Sequence, residues 1–479
     1  MTAEKVAIYN LGCRVNQYEA EALENKFRQA DYEIVDFQEE AGLYIINSCA
    51  VTTSAASKSR KVARRAKRRA GRQSLVVMAG CYSQVSPEEV AEIAEVDFYV
   101  ATADKDRLVE LIEEKKKARQ PDDRENRQKS RELGSRSSYA GLDKFPDFSL
   151  TRVNQTTRAN LKIQDGCDQF CSYCIIPLAR GRLRSKKPAA VRQEFQTLLD
   201  SGIREFILTG IHLGAYGQDL AAEIDLSSLT AELLREPGNF RIRLSSLEAG
   251  EVDSRLLELM AETSRLCNHL HLPLQSGSNK ILQAMNRPYT REEFLETIEK
   301  IKSRVPDIAL TTDVIAGFPG ETEEDFQKSL ELIAGAGFSR LHVFPFSPRP
   351  GTAAAEMGDR VNSKIINRRV EEMQQLGEKL KKQYRRRFLN RPLIALLEEP
   401  DEEGNISGYT SNYIRIRAAE IENQGIAENS STGQASILEE SQFLQELANS
   451  FVRVEIESVS ERDEQPARIV SRKVDLSDD

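Results

Sequence analysis

The chain has 479 residues, of which 40% are hydrophobic and 30% charged, and its formal net charge at pH 7 is −8. This length predicts two to four domains with a large core, and no apolar run approaches the ~18 residues of a membrane span, which argues against a membrane protein. Seven cysteines, an odd number, and the lack of an apolar secretory segment after Met1 favour a reducing, cytoplasmic location over a disulfide framework.

Residues 1–115 alternate short apolar runs with polar helical stretches, a pattern typical of a parallel α/β domain. The apolar runs are Val6–Tyr9, Tyr32–Val35, Tyr44–Ile46, Leu75–Met78 and Val96–Tyr99. Three of them lead directly to a cysteine: Cys13, Cys49 and Cys81. Residues just past the ends of parallel strands share one edge of a sheet. We therefore expect the three cysteines to meet in a cluster site, although a free cysteine also packs well in a core.

A strongly basic stretch follows the second of these cysteines. Between Lys58 and Arg72, nine of fifteen residues are Lys or Arg and none is acidic, while small apolar residues recur at helical spacing. The pattern predicts a helix with a wide basic face, which attracts phosphate whatever the net charge elsewhere. The alternative is a solvated surface helix. Residues 116–148 are charged and polar, which predicts a linker.

The loop with Cys167, Cys171 and Cys174 has the spacing CxxxCxxC and no obvious fourth ligand. An iron–sulfur cluster prefers four cysteines, so three leave one iron open to chelate the amino and carboxylate groups of S-adenosylmethionine (SAM). An electron passed into bound SAM releases a carbon radical that attacks unactivated C–H bonds. A structural zinc would need four ligands in a closed site, and a disulfide with a spare thiol fits a reducing compartment poorly. The spacing therefore favours the open cluster.

Residues 149–383 repeat a strand followed by a helix. The apolar runs are Leu161–Ile163, Phe206–Leu208, Ile242–Leu244, Leu270–Leu272, Asp313–Ile315 and Leu341–Phe344. Six such units are fewer than the eight of a closed barrel, so we expect a partial (β/α)6 TIM-like barrel whose open side admits a large substrate. Its active groups should lie at the carboxyl ends of the strands.

Residues 384–474 begin with the basic stretch Tyr384–Phe388 and then contain four apolar runs. These runs predict a small antiparallel β-barrel, a type of domain that often binds oligonucleotides. A packing or dimerisation module is the alternative.

Together these features closely resemble the radical-SAM methylthiotransferases, and the resemblance extends over essentially the whole chain. The motifs that carry it are Leu11–Gln17 (LGCRVNQ), Cys49–Thr52 (CAVT), Arg180–Arg182 (RGR) and Thr209–Gly217 (TGIHLGAYG), and they look like the branch that modifies threonylcarbamoyladenosine in tRNA. The isopentenyladenosine branch more typically has Gln-Met-Asn after its first cysteine. Two departures from the family pattern, Ser48 and Asn160, do not involve a proposed ligand.

The resemblance implies two 4Fe–4S clusters and SAM as cofactors. Cys167, Cys171 and Cys174 would hold the SAM-cleaving cluster, and Cys13, Cys49 and Cys81 an auxiliary cluster whose open iron carries the sulfur to be transferred. The implied product is the 2-methylthio derivative of N6-threonylcarbamoyladenosine at position 37, beside the anticodon. The C-terminal barrel would be a TRAM-like RNA-binding domain. The implied partners are tRNA carrying threonylcarbamoyladenosine, an electron donor such as flavodoxin or ferredoxin, and a sulfur source, with no membrane.

Motif position in the family also suggests the contacts to SAM, which are Tyr173, Gly210, Ser245, Glu248, Gln275 and Asp313. We interpret His269, His271 and His342 as core or lining residues, and Cys267 as a buried thiol outside both triads. Two alternatives remain for the function. One keeps the chemistry but acts on isopentenyladenosine in tRNA or on an aspartate of a ribosomal protein, and the other is a non-catalytic RNA-binding protein whose cysteines hold zinc.

Overall fold

The computed structural model describes residues 3–69, 74–117, 133, 144–153, 157–221, 223–403, 405–421, 446–460, 462–471 and 473–477. Most of the predicted linker lies outside these residues. Among the described helices, none combines the length and apolarity that a membrane crossing requires.

The N-terminal part is a five-stranded parallel sheet with helices on its faces. Its strands are β1 (Lys5–Asn10), β2 (Glu33–Val35), β3 (Leu43–Ser48), β4 (Leu75–Gly80) and β5 (Phe98–Val100), in the order β2-β1-β3-β4-β5. Its helices are α1 (Arg14–Gln29), α2 (Thr53–Arg69), α3 (Cys81–Val85), α4 (Pro87–Ala91) and α5 (Leu108–Lys117). Every residue of β3 and β4 is buried, as expected for central strands covered on both faces. The parallel α/β prediction is confirmed.

The central part is an open barrel of six parallel strands. The chain order is β6 (Arg158–Lys162), β7 (Gln164–Asp165), α6 (Ile176–Arg180), β8 (Arg184–Ser185), α7 (Pro188–Asp200), β9 (Glu205–Thr209), α8 (Leu226–Leu234), β10 (Arg241–Leu244), α9 (Ser254–Glu262), β11 (His269–His271), α10 (Asn279–Ala284), α11 (Arg291–Arg304), β12 (Ala309–Ala316), α12 (Glu323–Ala336), β13 (Arg340–Pro345) and α13 (Ser363–Arg386). Two sheets, β6-β9-β10 and β11-β12-β13, are joined by an isolated bridge from Ser246 to His271, while β7 and β8 form a separate ribbon.

A closed five-stranded barrel follows. Its strands are β14 (Pro392–Leu397), β15 (Ile406–Thr410), β16 (Arg415–Ile421), β17 (Phe451–Ile456) and β18 (Gln465–Ser471). The small barrel is as predicted, but β16 pairs with β18 in parallel, so the barrel is not wholly antiparallel. Sequence reasoning missed β15, whose sequence Ile-Ser-Gly-Tyr-Thr has no continuous apolar run because Ser407 and Gly408 interrupt it. The basic stretch that starts at Tyr384 is the last turn of α13, and Tyr384 is buried there.

The three parts pack against one another. One apolar core runs from β1 and α1 into the central barrel. At the amino ends of the barrel strands, the turn between β15 and β16 is inserted, where the Tyr413 ring lies 4.6 Å from the His269 ring and 4.5 Å from the Arg243 guanidinium carbon. Arg14 of α1 donates a 2.9 Å hydrogen bond to the Tyr413 hydroxyl. The C-terminal barrel therefore closes the amino end of the lumen, the interior space of the central barrel.

Candidate active site

The first cysteine triad lies at the carboxyl edge of the N-terminal sheet. Parallel pairing puts Asn10 opposite Asn47 and Ser48 opposite Gly80, so the segments that leave β1, β3 and β4 are adjacent. The cysteines on those segments are Cys13, which is exposed, and Cys49 and Cys81, which are buried. Burial, together with the neighbouring Cys81 and Cys13, raises the pKa of Cys49 to about 12. The predicted meeting of three sequence-distant cysteines is what the strand register produces.

Asn16 fixes the loop that carries Cys13. Its side-chain nitrogen donates to the backbone carbonyls of Leu11, at 2.7 Å, and Ser48, at 3.0 Å, which ties this loop to the end of β3. Gly12 has a φ of +110°, and a Cβ there would lie only 3.1 Å from the Cys49 sulfur. A side chain at Gly12 would therefore crowd Cys49 and strain the backbone.

A buried charge cluster supports this triad. It contains the basic side chains Lys105, Lys162, Arg180 and Arg184 and the carboxylates Glu19 and Asp165, all at most 4% exposed. Burial lowers the pKa of Lys105, yet even with that amine neutral three cations face two carboxylates. Buried charge needs a counter-charge.

The surplus positive charge lies beside the cysteines. Arg180 acts electrostatically on Cys13 and Cys49, and Lys105 on Cys81. A cluster bound through three thiolates is anionic, so these residues fit an auxiliary 4Fe–4S cluster, and its binding would release the protons that the thiols hold without metal. The negative charge of the bound iron–sulfur cluster would then balance the surplus positive charge of these side chains.

The second triad lies in the loop that follows β7, and backbone hydrogen bonds fix its conformation. Gly166 has a φ of +73°, and its backbone passes so close to Arg182 that a Cβ would lie 1.8 Å from the carbonyl oxygen. The Cys167 amide donates to the Gly181 carbonyl at 3.1 Å, and the Ser172 amide donates to the Met285 carbonyl at 3.0 Å. The loop is thus anchored at both ends before any metal binds.

Two cations lie next to the thiols of this loop. Arg287 donates to the Cys171 sulfur at 3.4 Å and also pairs with Glu248. The Nδ1 atom of His212 lies 3.7 Å from the Cys167 sulfur, and its Nε2 lies 2.5 Å from Glu251. Burial lowers the pKa of His212, but its hydrogen bonds to Cys167 and Glu251 outweigh that effect and raise the pKa to about 10. The residues present fit an anionic cluster with one open position.

The triads lie on neighbouring elements. Helix α3 begins at Cys81 and packs against α6, which begins two residues after Cys174. Arg180 at the end of α6 reaches back to Glu19 at 2.6 Å. One short segment thus provides the second triad and a cation for the first.

The six proposed SAM contacts occupy different levels of the barrel. Tyr173 lies in the cysteine loop, while four lie just beyond the strands at the carboxyl end of the barrel: Gly210, Ser245, Glu248 and Gln275. The Ser245 hydroxyl is buried and has no hydrogen-bond partner among the described residues, as expected for a ligand contact. Asp313 instead lies within β12, beside His271 and His342. Direct contact with SAM stays a prediction for all six.

Sequence reasoning missed the charged residues that surround the thiols. Arg180 stood in a motif that carried the family resemblance, but no role was assigned to it, and Glu19, Asp165 and Arg287 had no signal of their own. Their function depends on contacts between elements far apart in the chain. Cys267 is buried at the amino end of β11, the opposite end of the strand from the cysteine loops.

Two family models match this chain. The radical SAM superfamily matches residues 161–333, and an uncharacterized protein family, UPF0004, matches residues 5–101. The solved structure of the radical SAM methyltransferase TsrM from Kitasatospora setae, with cobalamin and a [4Fe-4S] cluster bound, superposes with a TM-score of 0.57 at 15% identity and covers 74% of this chain and 77% of that chain. At this identity the similarity concerns the fold alone.

Curated relatives match nearly the full length. The threonylcarbamoyladenosine tRNA methylthiotransferase MtaB of Bacillus subtilis is 42% identical over 416 residues, which cover 86% of this chain and 89% of the relative. The tRNA-2-methylthio-N(6)-dimethylallyladenosine synthase of Alkaliphilus oremlandii is 33% identical over 409 residues, 83% of each chain. These relatives are enzymes, so the non-catalytic alternative is wrong. The chain belongs to the radical-SAM tRNA methylthiotransferase family.

Proposed function

We propose that this protein converts N6-threonylcarbamoyladenosine at position 37 of tRNA to its 2-methylthio derivative. The observation that carries the proposal is the identity of 42% to a relative named for that substrate, against 33% to a relative named for the dimethylallyl substrate. Adjacent cysteine triads at the barrel opening support the same reaction class. Modification of isopentenyladenosine is the second candidate, since relatives with that name also match.

As a radical-SAM methylthiotransferase, the protein uses SAM and two 4Fe–4S clusters. When bound, these groups would supply the radical that removes the hydrogen at adenine C2. They would also supply the sulfur and the methyl group that replace this hydrogen. The chain positions them through the thiols of Cys167, Cys171 and Cys174 on one side and Cys13, Cys49 and Cys81 on the other. An electron donor of the flavodoxin or ferredoxin class and a sulfur source complete the proposal, and a tRNA substrate is consistent with a cytoplasmic enzyme.

The chain's own residues also limit the chemistry. Arg287 donates to the Cys171 sulfur and holds Glu248 at the SAM end of the barrel. Arg180 and Lys105 provide positive charge beside the auxiliary triad. Burying an anionic cluster there without such a counter-charge would cost free energy. On the outside of the N-terminal sheet, Lys58 and Lys61 of α2 are exposed and make no ion pair with any described residue, so they are available to phosphates of the tRNA.

Mass spectrometry of tRNA nucleosides tests the proposal. Cells that lack the gene should lose the methylthio form of threonylcarbamoyladenosine and accumulate its parent. Wild-type protein and the Cys267→Ala control, which changes a cysteine outside both triads, should restore the product, whereas Cys49→Ala should not. Loss of the methylthio form of isopentenyladenosine instead would establish the second candidate and refute the first.

A further inference from the structure

Three neighbouring strands arrange their lumen-facing side chains in rows. Leu341 and Val343 of β13 pack into the core that α13 covers, so the alternate residues Arg340, His342 and Phe344 face the lumen. The parallel register pairs Thr311 with Arg340, Asp313 with His342, and Ile315 with Phe344. His271 of β11 pairs with Thr311. From the amino to the carboxyl end, the lumen face therefore changes from polar to apolar.

The apolar row lies at the cysteine end. Phe344 is 43% exposed, which is unusual for a large apolar residue in a strand. Ile315, its partner, packs in the same cluster as Tyr173 of the cysteine loop. The segment that follows β13 then contacts both triad regions: the Ser347 hydroxyl lies 3.0 Å from that of Thr53, and the Ala354 amide donates to the Ser172 carbonyl at 2.7 Å.

The polar part of the lumen face, which we call the polar row, includes His271, Asp313 and His342. The nitrogen and oxygen atoms of these three side chains converge. One nitrogen or oxygen from each of His271, Asp313 and His342 lies within 4.8 Å of the others. The Nδ1 atom of His271 lies 2.9 Å from the Thr311 hydroxyl, which leaves its Nε2 directed to Asp313, 3.3 Å away. Asp313 is 30% exposed at its side chain, so the group is open to the lumen.

We propose that this face is the pocket for the target nucleoside, with Phe344 stacking on the purine ring and His271, Asp313 and His342 hydrogen-bonding the polar group attached to N6. The assignment rests on the proposed function, and it gives Asp313 to the nucleoside in place of the SAM contact that its motif position suggested. Enzymes that act on a nucleobase extrude it from the stack and hold it against aromatic or apolar side chains. Phe344 offers an exposed aromatic ring at the end of β13 from which the chain continues to both triad regions, which is where the reaction must occur.

The polar row matches the chemistry of the N6 substituent. A threonylcarbamoyl group has amide hydrogens, a hydroxyl and a carboxylate, which suit an aspartate flanked by two imidazoles. A dimethylallyl group offers no hydrogen bond to these polar side chains, and a site built for hydrogen bonds strongly rejects a ligand that lacks them. Phe344 lies nearer the carboxyl end of the strands than the polar side chains do. A purine stacked on it would direct N6 toward the amino end of the lumen and leave C2 nearer the triads.

Equilibrium binding of anticodon stem-loop RNA tests the pocket. The reconstituted protein, without reductant, is titrated into labelled RNAs that carry either threonylcarbamoyladenosine or adenosine at position 37. Phe344→Leu should weaken binding of both RNAs about tenfold, and Phe344→Tyr should retain it, since stacking needs only the ring. His342→Leu should reduce the preference for the modified RNA about tenfold and leave the affinity for the unmodified RNA unchanged.

Ile365→Ala provides the matched control, since this side chain is also an exposed apolar residue, at 40%, but it lies on α13 outside the lumen. Phe344→Leu behaving as this control would overturn the stacking role, and an unchanged preference in His342→Leu would overturn the polar role. An extra metal equivalent beyond the cluster iron, lost in His342→Leu, would show a cation site instead. A wild-type protein without preference contradicts the proposed substrate and the polar role, whereas the Phe344 variants still test stacking.

Discussion

Replacing Glu19 with glutamine should strongly destabilise the contact between the N-terminal sheet and the barrel. The Glu19 carboxylate lies 2.5 Å from the Lys162 amine and 2.6 Å from the Arg180 guanidinium, and it also pairs with Lys105. All four side chains are at most 1% exposed. Removing one partner of a buried ion pair costs about 3–5 kcal/mol, because the remaining charges lose their counter-charge. Here Asp165 alone would face the basic side chains.

Thermal unfolding under anaerobic conditions measures the effect. A loss of about 3–5 kcal/mol corresponds to a melting temperature roughly 10 °C lower for a unit of 150–250 residues. Circular dichroism suits the measurement because the chain contains no tryptophan. Glu232→Gln is the matched control: its partner Arg192 lies 3.4 Å away, both side chains are 41% exposed or more, and such a pair contributes at most about 1 kcal/mol.

A second variant separates charge from packing. Adding Lys105→Met to Glu19→Gln removes one of the uncompensated cations, so the double variant should regain part of the lost melting temperature. The reasoning is refuted if Glu19→Gln melts within about 2 °C of the Glu232→Gln control, or if the double variant melts lower than the single one.

Three further changes have definite expected outcomes. Replacing both Lys58 and Lys61 with glutamine should weaken tRNA binding and reduce the slope of log affinity against log salt by about 2, and an unchanged slope would exclude α2 from the RNA contact. Gly166→Ala should remove about half of the cluster iron by displacing the cysteine loop, whereas Gly250→Ala, where a Cβ meets nothing within 4 Å, should retain it in an iron assay. Burial raises the pKa of Glu21 to about 7 in the folded state. The folded state is therefore favoured fully below the unfolded pKa, where Glu21 is protonated, and this stabilisation is lost as the pH rises through 7. At pH 8, Glu21→Gln should therefore be more stable than wild type, by up to about 3 kcal/mol, and should melt at a higher temperature. At pH 4 the two proteins should melt at the same temperature. A shift of the same size at both pH values would contradict the assignment.

The strand runs and both cysteine triads were predictable because they depend on local patterns. Short continuous apolar runs mark the strands, and parallel strands bring residues at their carboxyl ends together whatever their sequence separation. The charges around the triads were not predictable, since Arg180 meets Glu19 across 161 positions of the chain. The mixed pairing of the C-terminal barrel depends in the same way on β16 meeting β18, which no local pattern encodes.

The turn at Tyr413 has a consequence for how this enzyme can be recombined. Its hydroxyl accepts from Arg14, and the carbonyls of Thr410 and Ser411 accept from Arg243. Truncation before β14 would expose a guanidinium that these groups now satisfy, so a shortened chain reports on damage to the barrel as well as on RNA affinity. A chimera with a foreign C-terminal domain would need an equivalent turn that accepts hydrogen bonds from Arg14 and Arg243. The C-terminal domain therefore cannot be exchanged independently of the other two parts.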